Sequence, residues 1–435
     1  MSPTLRRSLD WLDAHINLEA TAGRVEGLSL DRMRTLIDAL GAPQLDLRCV
    51  HVTGTNGKGS TAAITSALLR EQGLSVGTYG SPHVSRINER IVHDGEEIDD
   101  DDLAELLAHL ELVEPHLGVR PSWFELMTAA ALRSFADRAV DVAVVEVGKL
   151  GRYDATNVID AEVAVVTNIG RDHTDGAEGW REAIAWEKAG IISPGATLVL
   201  GETSADLRPV FDAEHPGRVL VRGEDLGCTA NRVAVGGRLL DLHTPRSSHQ
   251  DVFLSLHGHH QGLNAALAVA AAEEILDISL STEVVEAAFS QMSLPGRFEV
   301  LDRDPLVVVD GAHNPDGARA AARTLGEDFS VGGRLILVLG MLGERDPAEM
   351  LQALGAEHAA TVVCTTPPSP RALPAAELAA VAAGLAPSVD VIPDVADALE
   401  HALAIADGDD LVVVAGSLYL AGAARDAFPA VRERV

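Results

Sequence analysis

One segment limits this chain more than any other: His51-Val-Thr-Gly-Thr-Asn-Gly-Lys-Gly-Ser-Thr61, between a short β-branched run and an alanine-rich helical stretch reaching about Arg70. Glycines let backbone N–H groups close around phosphate oxygens, and the dipole of the following helix favours anions. Lys58 can reach outer phosphates, and a hydroxyl of Ser60 or Thr61 can meet magnesium. The match to the standard G-x-x-x-x-G-K-[ST] loop is imperfect, because Gly54 lies close to Gly57 and Gly59 separates Lys58 from Ser60. A strand–loop–helix unit of this kind belongs to a parallel α/β sheet.

The rest of the chain repeats that alternation. Arg48–Val52, Asp141–Val147, Val163–Ile169 and Thr197–Leu200 read as strands buried on both faces, and Ser75–Tyr79 reads as a further strand. Between Val219 and Leu256 the pattern changes, and Val233–Leu240 reads as a hairpin turning at Gly236-Gly237, so a small β-rich piece is expected there. A helix is expected from about Asn264 to Leu276, and another from the Ser281-Thr282 cap. Ser293-Leu-Pro-Gly-Arg297 is a breaker cluster. Strands at Leu306–Asp310, Arg334–Leu339, Thr361–Cys364 and Leu411–Ala415 follow it, the first three each with a helical stretch behind. The expected division is residues 1–293, an ATP-binding domain, and 294–435, a Rossmann-like domain.

Charge sharpens the chemistry. A formal net charge of −31 repels nucleic acid and anionic membranes, so an anionic ligand must be met by local donors or metal ions. Glu146 ends a buried strand, and a carboxylate there costs free energy unless it meets a cation or donors. His173 follows the next strand, and Ser81 can add a hydroxyl. Together with the glycine-rich loop, these three point to magnesium. The acidic run Asp94–Asp102 reads as a solvated turn followed by an acidic helix start rather than a calcium loop. His257-Gly-His-His260 reads as a surface loop. Cys49, Cys228 and Cys364 lie far apart, as reduced thiols of a cytoplasmic protein do, and no export signal or membrane-spanning run is read.

In order along the chain stand His51–Ser60, Ser81-Pro-His83, Arg90, Glu146-Val-Gly148, Gly151-Arg-Tyr-Asp-Ala-Thr-Asn157, Asp172-His-Thr174, Glu187-Lys-Ala-Gly190, Pro295-Gly-Arg297, Asp310-Gly-Ala-His-Asn314 and Gly416-Ser-Leu-Tyr419. This set resembles the folylpolyglutamate synthase/dihydrofolate synthase family, relatives of the Mur ligases, over about Leu9 to Ala424. The resemblance implies a Mur-ligase-like α/β fold: a P-loop ATPase domain with a mostly parallel sheet and a small β-rich part, then a C-terminal Rossmann-like domain. It implies an ATP-dependent ligase adding glutamate to dihydropteroate or folates through an acyl phosphate.

The same resemblance implies that Asn56, Gly57, Lys58, Gly59, Ser60 and Thr61 hold the triphosphate, and that Asn264, Arg297 and Asp310 contact ATP. It assigns Ser81, Glu146 and His173 to Mg2+. Lys188 aligns with a lysine that becomes carbamylated and so able to hold a second Mg2+. Lys58, Lys188 and His313 are the implied catalytic groups, with Ser122, Trp123, Phe124, Glu125, Tyr153, Asp154 and Ala155 on the pterin side. Read without the family, Trp123 and Phe124 are core residues of a helix start and Lys188 an exposed helix lysine. A monomer acting on small molecules, free of nucleic acid and membrane, is expected. Lys149-Leu150 stands where the family has leucine and glycine, Gly80 where it has a hydroxyl residue, Trp123 for tyrosine and Gly176 for a bulky residue. None of these departures removes a phosphate or metal ligand, and Trp123 and Tyr153 bear on substrate choice rather than on the chemistry. Two rival readings stand beside this one, a Mur-type ligase of a non-folate acid and a nucleotide-binding P-loop protein without ligase activity.

Overall fold

The computed structural model describes residues 1–17, 29–171, 177–329 and 332–434. His173, together with Asp172, Thr174, Asp175 and Gly176, lies outside the described residues.

Eight strands form the first sheet: β1 (Cys49–Thr53), β2 (Val76–Tyr79), β3 (Ile91–His93), β4 (Glu96–Glu97), β5 (Val142–Glu146), β6 (Val163–Val166), β7 (Thr197–Leu200) and β8 (Arg218–Val221). Their order is β4-β3-β2-β5-β1-β6-β7-β8, parallel from β2 to β8 with β3 and β4 antiparallel at one edge. Chain order reverses on either side of β1, and in open α/β sheets ligands bind at the carboxyl ends of strands beside such a switch point. All five β1 residues are buried, as a strand covered on both faces must be. One face packs on the helices Lys58–Glu71, His259–Leu276 and Thr282–Ser290. The other packs on Pro3–Asp13, Asp31–Ala39, Asp100–Val113 and Trp123–Asp137.

The small β-rich piece is a three-stranded antiparallel sheet of β9 (Gly227–Ala234), β10 (Gly237–His243) and β11 (Ser248–Leu254). The hairpin turns on Val235-Gly236, with Gly236 at φ 80°. The helix His259–Leu276 lies between this sheet and the first and is buried over nearly its whole circumference, as its even spread of alanine and leucine requires. It starts five residues before Asn264, which corrects the surface-loop reading of His257–His260. Gly258, at φ 102°, begins the helix, and His259 and His260 form its first turn. His257 Nδ1 lies 3.4 Å from Asp328 Oδ2, and burial pushes the His260 imidazole down to about 4.

The third sheet uses β12 (Glu299–Arg303), β13 (Leu306–Val309), β14 (Leu335–Leu339), β15 (Thr361–Cys364), β16 (Val389–Val391) and β17 (Leu411–Ala415) in the order β12-β13-β17-β14-β15-β16. All pairs are parallel except β12 with β13. Strands β12 and β16 escaped sequence reading because Glu299–Arg303 is half polar and Val389–Val391 is three residues long. Two apolar layers, one on each face, close the sheet. Where the two halves meet, Arg238 of β10, 1% exposed, pairs with Glu327 and with the buried Asp328 at the end of helix Pro315–Asp328. No helix among the described residues is long and apolar enough to cross a membrane.

The acidic run Asp94–Asp102 is the expected turn and helix start. Asp94 takes φ 50° in the β3–β4 turn, and Asp99 caps the helix Asp100–Val113 through the Asp101 and Asp102 amides.

Candidate active site

The loop between β1 and the helix Lys58–Glu71 sits at the carboxyl edge of the first sheet, with Gly54 and Gly57 at positive φ. Neither position tolerates a side chain. A methyl on Gly54 would overlap Thr167, and one on Gly57 would strike the amide oxygen of Asn264. Two residues that sequence reading passed over brace the loop from the end of β6. Thr167 Oγ1 and Asn168 Nδ2 donate to Asn56 O at 2.6 and 2.9 Å, and Asn168 Oδ1 accepts Asn56 N at 3.1 Å. Their signal was faint, a polar Thr-Asn pair ending an apolar run. Asn264 is held by Gln261, to which its Nδ2 donates at 2.9 Å.

Two lysines converge on one backbone oxygen. Lys58 Nζ donates to Gly54 O at 3.1 Å, and Lys188 Nζ, from helix Trp180–Ala189, donates to the same oxygen at 2.9 Å. Lys188 is 4% exposed, so the reading of it as an exposed helix lysine is corrected. Two cations sharing one carbonyl form a strongly anion-seeking spot.

Across from them stands Glu146 at the end of β5. Its Oε2 accepts Ser81 N at 3.3 Å and lies where a methyl on Gly59 or Gly80 would touch it. Gly80 therefore leaves room beside the carboxylate. Burial pushes the Glu146 carboxyl up, opposed by Lys58, the Ser81 amide, Arg297 and Arg90. The hydroxyls of Ser81 and Thr61 are buried and have no protein partner. A buried carboxylate with the unpartnered Ser81 hydroxyl next to it is a donor pair for a hard divalent cation that keeps part of its water shell. The residues present therefore fit magnesium. Among the described residues no group of three or more His, Cys, Asp or Glu gathers into a metal cluster.

The third sheet turns its own carboxyl edge toward this loop. Asp310, after β13, accepts Phe298 N at 3.1 Å and Ala312 N at 2.9 Å; burial pushes its carboxyl up, against the pull of Arg297. Arg297 is felt by both Asp310 and Glu146, one in each half of the molecule. His313 Nδ1 lies 3.1 Å from Gly311 O. Next to it, Asn314 caps the helix Pro315–Asp328 and exchanges amide hydrogen bonds with Asn56.

The expected pterin-side residues divide into kinds. Ser122 and Glu125 form a capping box for helix Trp123–Asp137: Ser122 Oγ accepts Glu125 N at 3.3 Å and Glu125 Oε2 accepts Ser122 N at 2.6 Å. Trp123 is buried, donates to Asp13 Oδ1 at 2.9 Å and has the Arg90 guanidinium 4.7 Å from its ring centroid. With Pro82, His83, Ser369 and Tyr419 these two line a cleft of about 120 Å³ between the halves. Phe124 packs near Tyr79 (6.1 Å between ring centres) and against Gly148. Tyr153 is half exposed and 6.4 Å from the Trp186 ring of helix Trp180–Ala189. Ala155 is buried. Asp154 is saturated, with Oδ1 accepting Thr156 N and Oγ1 at 3.0 and 2.6 Å, Oδ2 accepting Lys149 N at 2.8 Å, and a further bond from the Gly148 amide. It holds its loop in shape. Leu150, where the family has glycine, takes φ 65°, and Thr53 Oγ1 donates to its carbonyl at 2.7 Å.

Comparison with known proteins agrees with this geometry. Residues 123–272 match the Mur ligase middle domain and residues 296–418 the Mur ligase glutamate ligase domain. The chain is 37% identical over 443 residues to the dihydrofolate synthase/folylpolyglutamate synthase of Mycobacterium tuberculosis, covering 92% of this chain and 90% of that one. It resembles Escherichia coli FolC solved in complex with DHPP and ADP (TM-score 0.86, 29% identity, 98% of each chain). It also resembles a bifunctional folylpolyglutamate synthase/dihydrofolate synthase solved with Mn, AMPPNP and L-glutamate (TM-score 0.85, 30% identity, 99% of this chain and 98% of that one).

Proposed function

Because the chain belongs to the folylpolyglutamate synthase/dihydrofolate synthase family of Mur ligases, we propose that it is an ATP-dependent ligase. It joins the amine of L-glutamate to the carboxylate of dihydropteroate, of folates, or of both, through an acyl phosphate. The observation that carries the reading is the meeting of two strand edges. The phosphate loop, Glu146 and Ser81 come from strand ends of the first sheet, Lys188 reaches them from helix Trp180–Ala189, and Asp310, His313 and Asn314 come from the third sheet.

In the first step a carboxylate oxygen of the acid attacks the γ-phosphorus as the bond to the β-phosphate oxygen breaks, leaving ADP. Gly57, Gly59 and the start of helix Lys58–Glu71 hold the triphosphate with backbone amides, and Ser60, Thr61, Asn264 and Arg297 contact the nucleotide. Lys58 turns from the Gly54 carbonyl toward the outer phosphates. Magnesium, when bound, offsets the charge that builds on the moving phosphoryl group; Ser81, Glu146 and His173 would hold it, and a carbamylated Lys188 would hold a second ion. In the second step the glutamate amine attacks the acyl carbon, inorganic phosphate leaves, and the amine proton passes to solvent. Asp310 and His313 close over the nucleotide and keep water from the acyl phosphate.

The division 1–293 and 294–435, hinged at Ser293–Arg297, is part of this proposal; no described strand crosses it. That one chain supplies both edges supports a monomer, and the free Cys49, Cys228 and Cys364 support a cytoplasmic setting. The test is ADP release by the purified protein with ATP, magnesium and glutamate, comparing 7,8-dihydropteroate with tetrahydrofolate. Turnover of either acid that depends on glutamate is expected. Nucleotide binding without turnover of either acid would overturn the substrate assignment, and ADP release indifferent to added amino acid would overturn the ligase reading.

A further inference from the structure

His51 is a fully buried histidine on the strand that leads into the phosphate loop, and nothing in the proposed reaction uses it. On β1 it shares a face with Cys49 and Thr53, because successive strand residues alternate sides. Above that face runs the 3-10 turn Ala155–Val158, and His51 Nε2 lies 2.9 Å from Thr156 Oγ1. Thr156 has one hydroxyl proton, which it gives to Asp154 Oδ1 at 2.6 Å. Toward His51 the hydroxyl can then only accept, so the imidazole carries its proton on Nε2 and donates. Nδ1 is left as a bare lone pair, and it is indeed buried without a protein partner. Burial, which pushes this imidazole down to about 3, keeps it in the neutral form that the chain needs.

We propose that His51 is a positioning residue. Through Nε2–H to Thr156 and Thr156 Oγ1–H to Asp154, it fixes the loop 148–157 against the phosphate loop and so tunes binding of the acid substrate. The proposal rests on the reading of Tyr153–Ala155 as the substrate side. Asp154 gathers the amides of Gly148, Lys149 and Thr156, so whatever anchors Asp154 anchors the whole loop. A second rung rises from the same face two residues on, where Thr53 Oγ1 holds Leu150 O. After Thr53 the strand becomes the phosphate loop. One strand thus sets the spacing between the loop that holds the phosphoryl donor and the loop that shapes the acceptor site, a spacing to which transfer is sensitive.

The test uses the full-length protein with His51→Leu, His51→Gln, Thr156→Val and the double variant His51→Leu/Thr156→Val. His51→Leu is expected to raise KM for the pterin acid roughly tenfold, the worth of one buried hydrogen bond, with KM for ATP within about twofold of the parent. Gln, whose amide can donate from a similar point, restores most of the loss. Thr156→Val reproduces it, and the double variant is no worse than either single one. Hydrogen exchange gives a readout independent of turnover: the Lys149 and Thr156 amides exchange faster in His51→Leu while those of Gly59–Thr61 do not. Should His51→Leu fail to fold, His51→Gln and Thr156→Val carry the same comparison. Unchanged loop amides would overturn the proposal and leave the ligase reading standing. Loosened amides with an unchanged KM for the acid would overturn the substrate role of this loop, and the proposal with it.

Discussion

Asn56 in the phosphate loop and Asn314 in the loop after β13 exchange their amide groups: Asn314 Nδ2 donates to Asn56 Oδ1 at 2.9 Å, and Asn56 Nδ2 to Asn314 Oδ1 at 3.3 Å. Asn314 is fully buried, and its Oδ1 also accepts Gly317 N at 2.8 Å, capping the helix Pro315–Asp328. One side chain therefore ties the start of a helix in the C-terminal half to the loop expected to hold the triphosphate.

Asn314→Ser separates these two duties. Serine caps the helix but is too short to reach Asn56. Two lost hydrogen bonds of about 0.5–1.5 kcal/mol each predict a fall in kcat/KM for ATP of roughly tenfold. The melting temperature should drop by only a few degrees. Steady-state ADP release and a thermal melt on the same preparation measure both.

Glu146→Gln should separate stability from activity. Burial already pushes this carboxyl up, so the native structure tolerates its charge at a cost. The amide is expected to leave the melting temperature unchanged or raise it, while glutamate-dependent ADP release falls by about 100-fold or more for want of a metal ligand. A variant that kept parental turnover would remove Glu146 from the metal site.

The shared Gly54 carbonyl bears on Lys188. Two ammonium groups on one oxygen repel, and carbamylation of Lys188 by carbon dioxide would turn one of them into a carboxylate. Activity is therefore expected to fall after exhaustive removal of carbon dioxide and to return with bicarbonate. Mass spectrometry under native conditions should find the added mass on Lys188. Lys188→Ala should be inactive whatever the bicarbonate. Parental activity without carbon dioxide would rule the carbamate out.

His51 predicts a pH dependence of folding. Burial lowers its imidazole from the usual 6.5 to about 3, so below 6.5 the unfolded chain takes up a proton that the native protein refuses. The corresponding stability is present above pH 6.5 and is lost as pH falls from there toward 3, at up to about 1.4 kcal/mol per pH unit. Urea unfolding at pH 7 and pH 5 should show a loss that shrinks by roughly 2 kcal/mol in His51→Gln. An equal loss in both proteins would contradict the assignment.

Much of this was legible in the residues. The glycine spacing at Gly54–Gly59 and the apolar run of β1 have few foldings available, because only glycine takes those backbone angles cheaply and only a doubly covered strand hides five consecutive residues. Glu146 stood out for the same reason, as a charge at the end of an apolar strand. Helix His259–Leu276 began earlier than its sequence suggested, because burial on all sides erases the periodicity that marks a boundary. Ser122 and Glu125, expected on the pterin side, also form a helix cap, a role that the three-residue spacing between them encodes.

By itself, then, the sequence determined the α/β layering, the phosphate loop and the strand ends that carry charge, since these follow from local conformational cost and from the period of apolar residues. The tertiary structure alone decided which distant side chains meet. Lys58 with Lys188 on one carbonyl, Asn56 with Asn314 between the halves and His51 beneath Thr156 are separated by 130, 258 and 105 residues along the chain. Pairings so remote leave no local signature, because they depend on the order in which strands join a sheet and on how two sheet edges face one another.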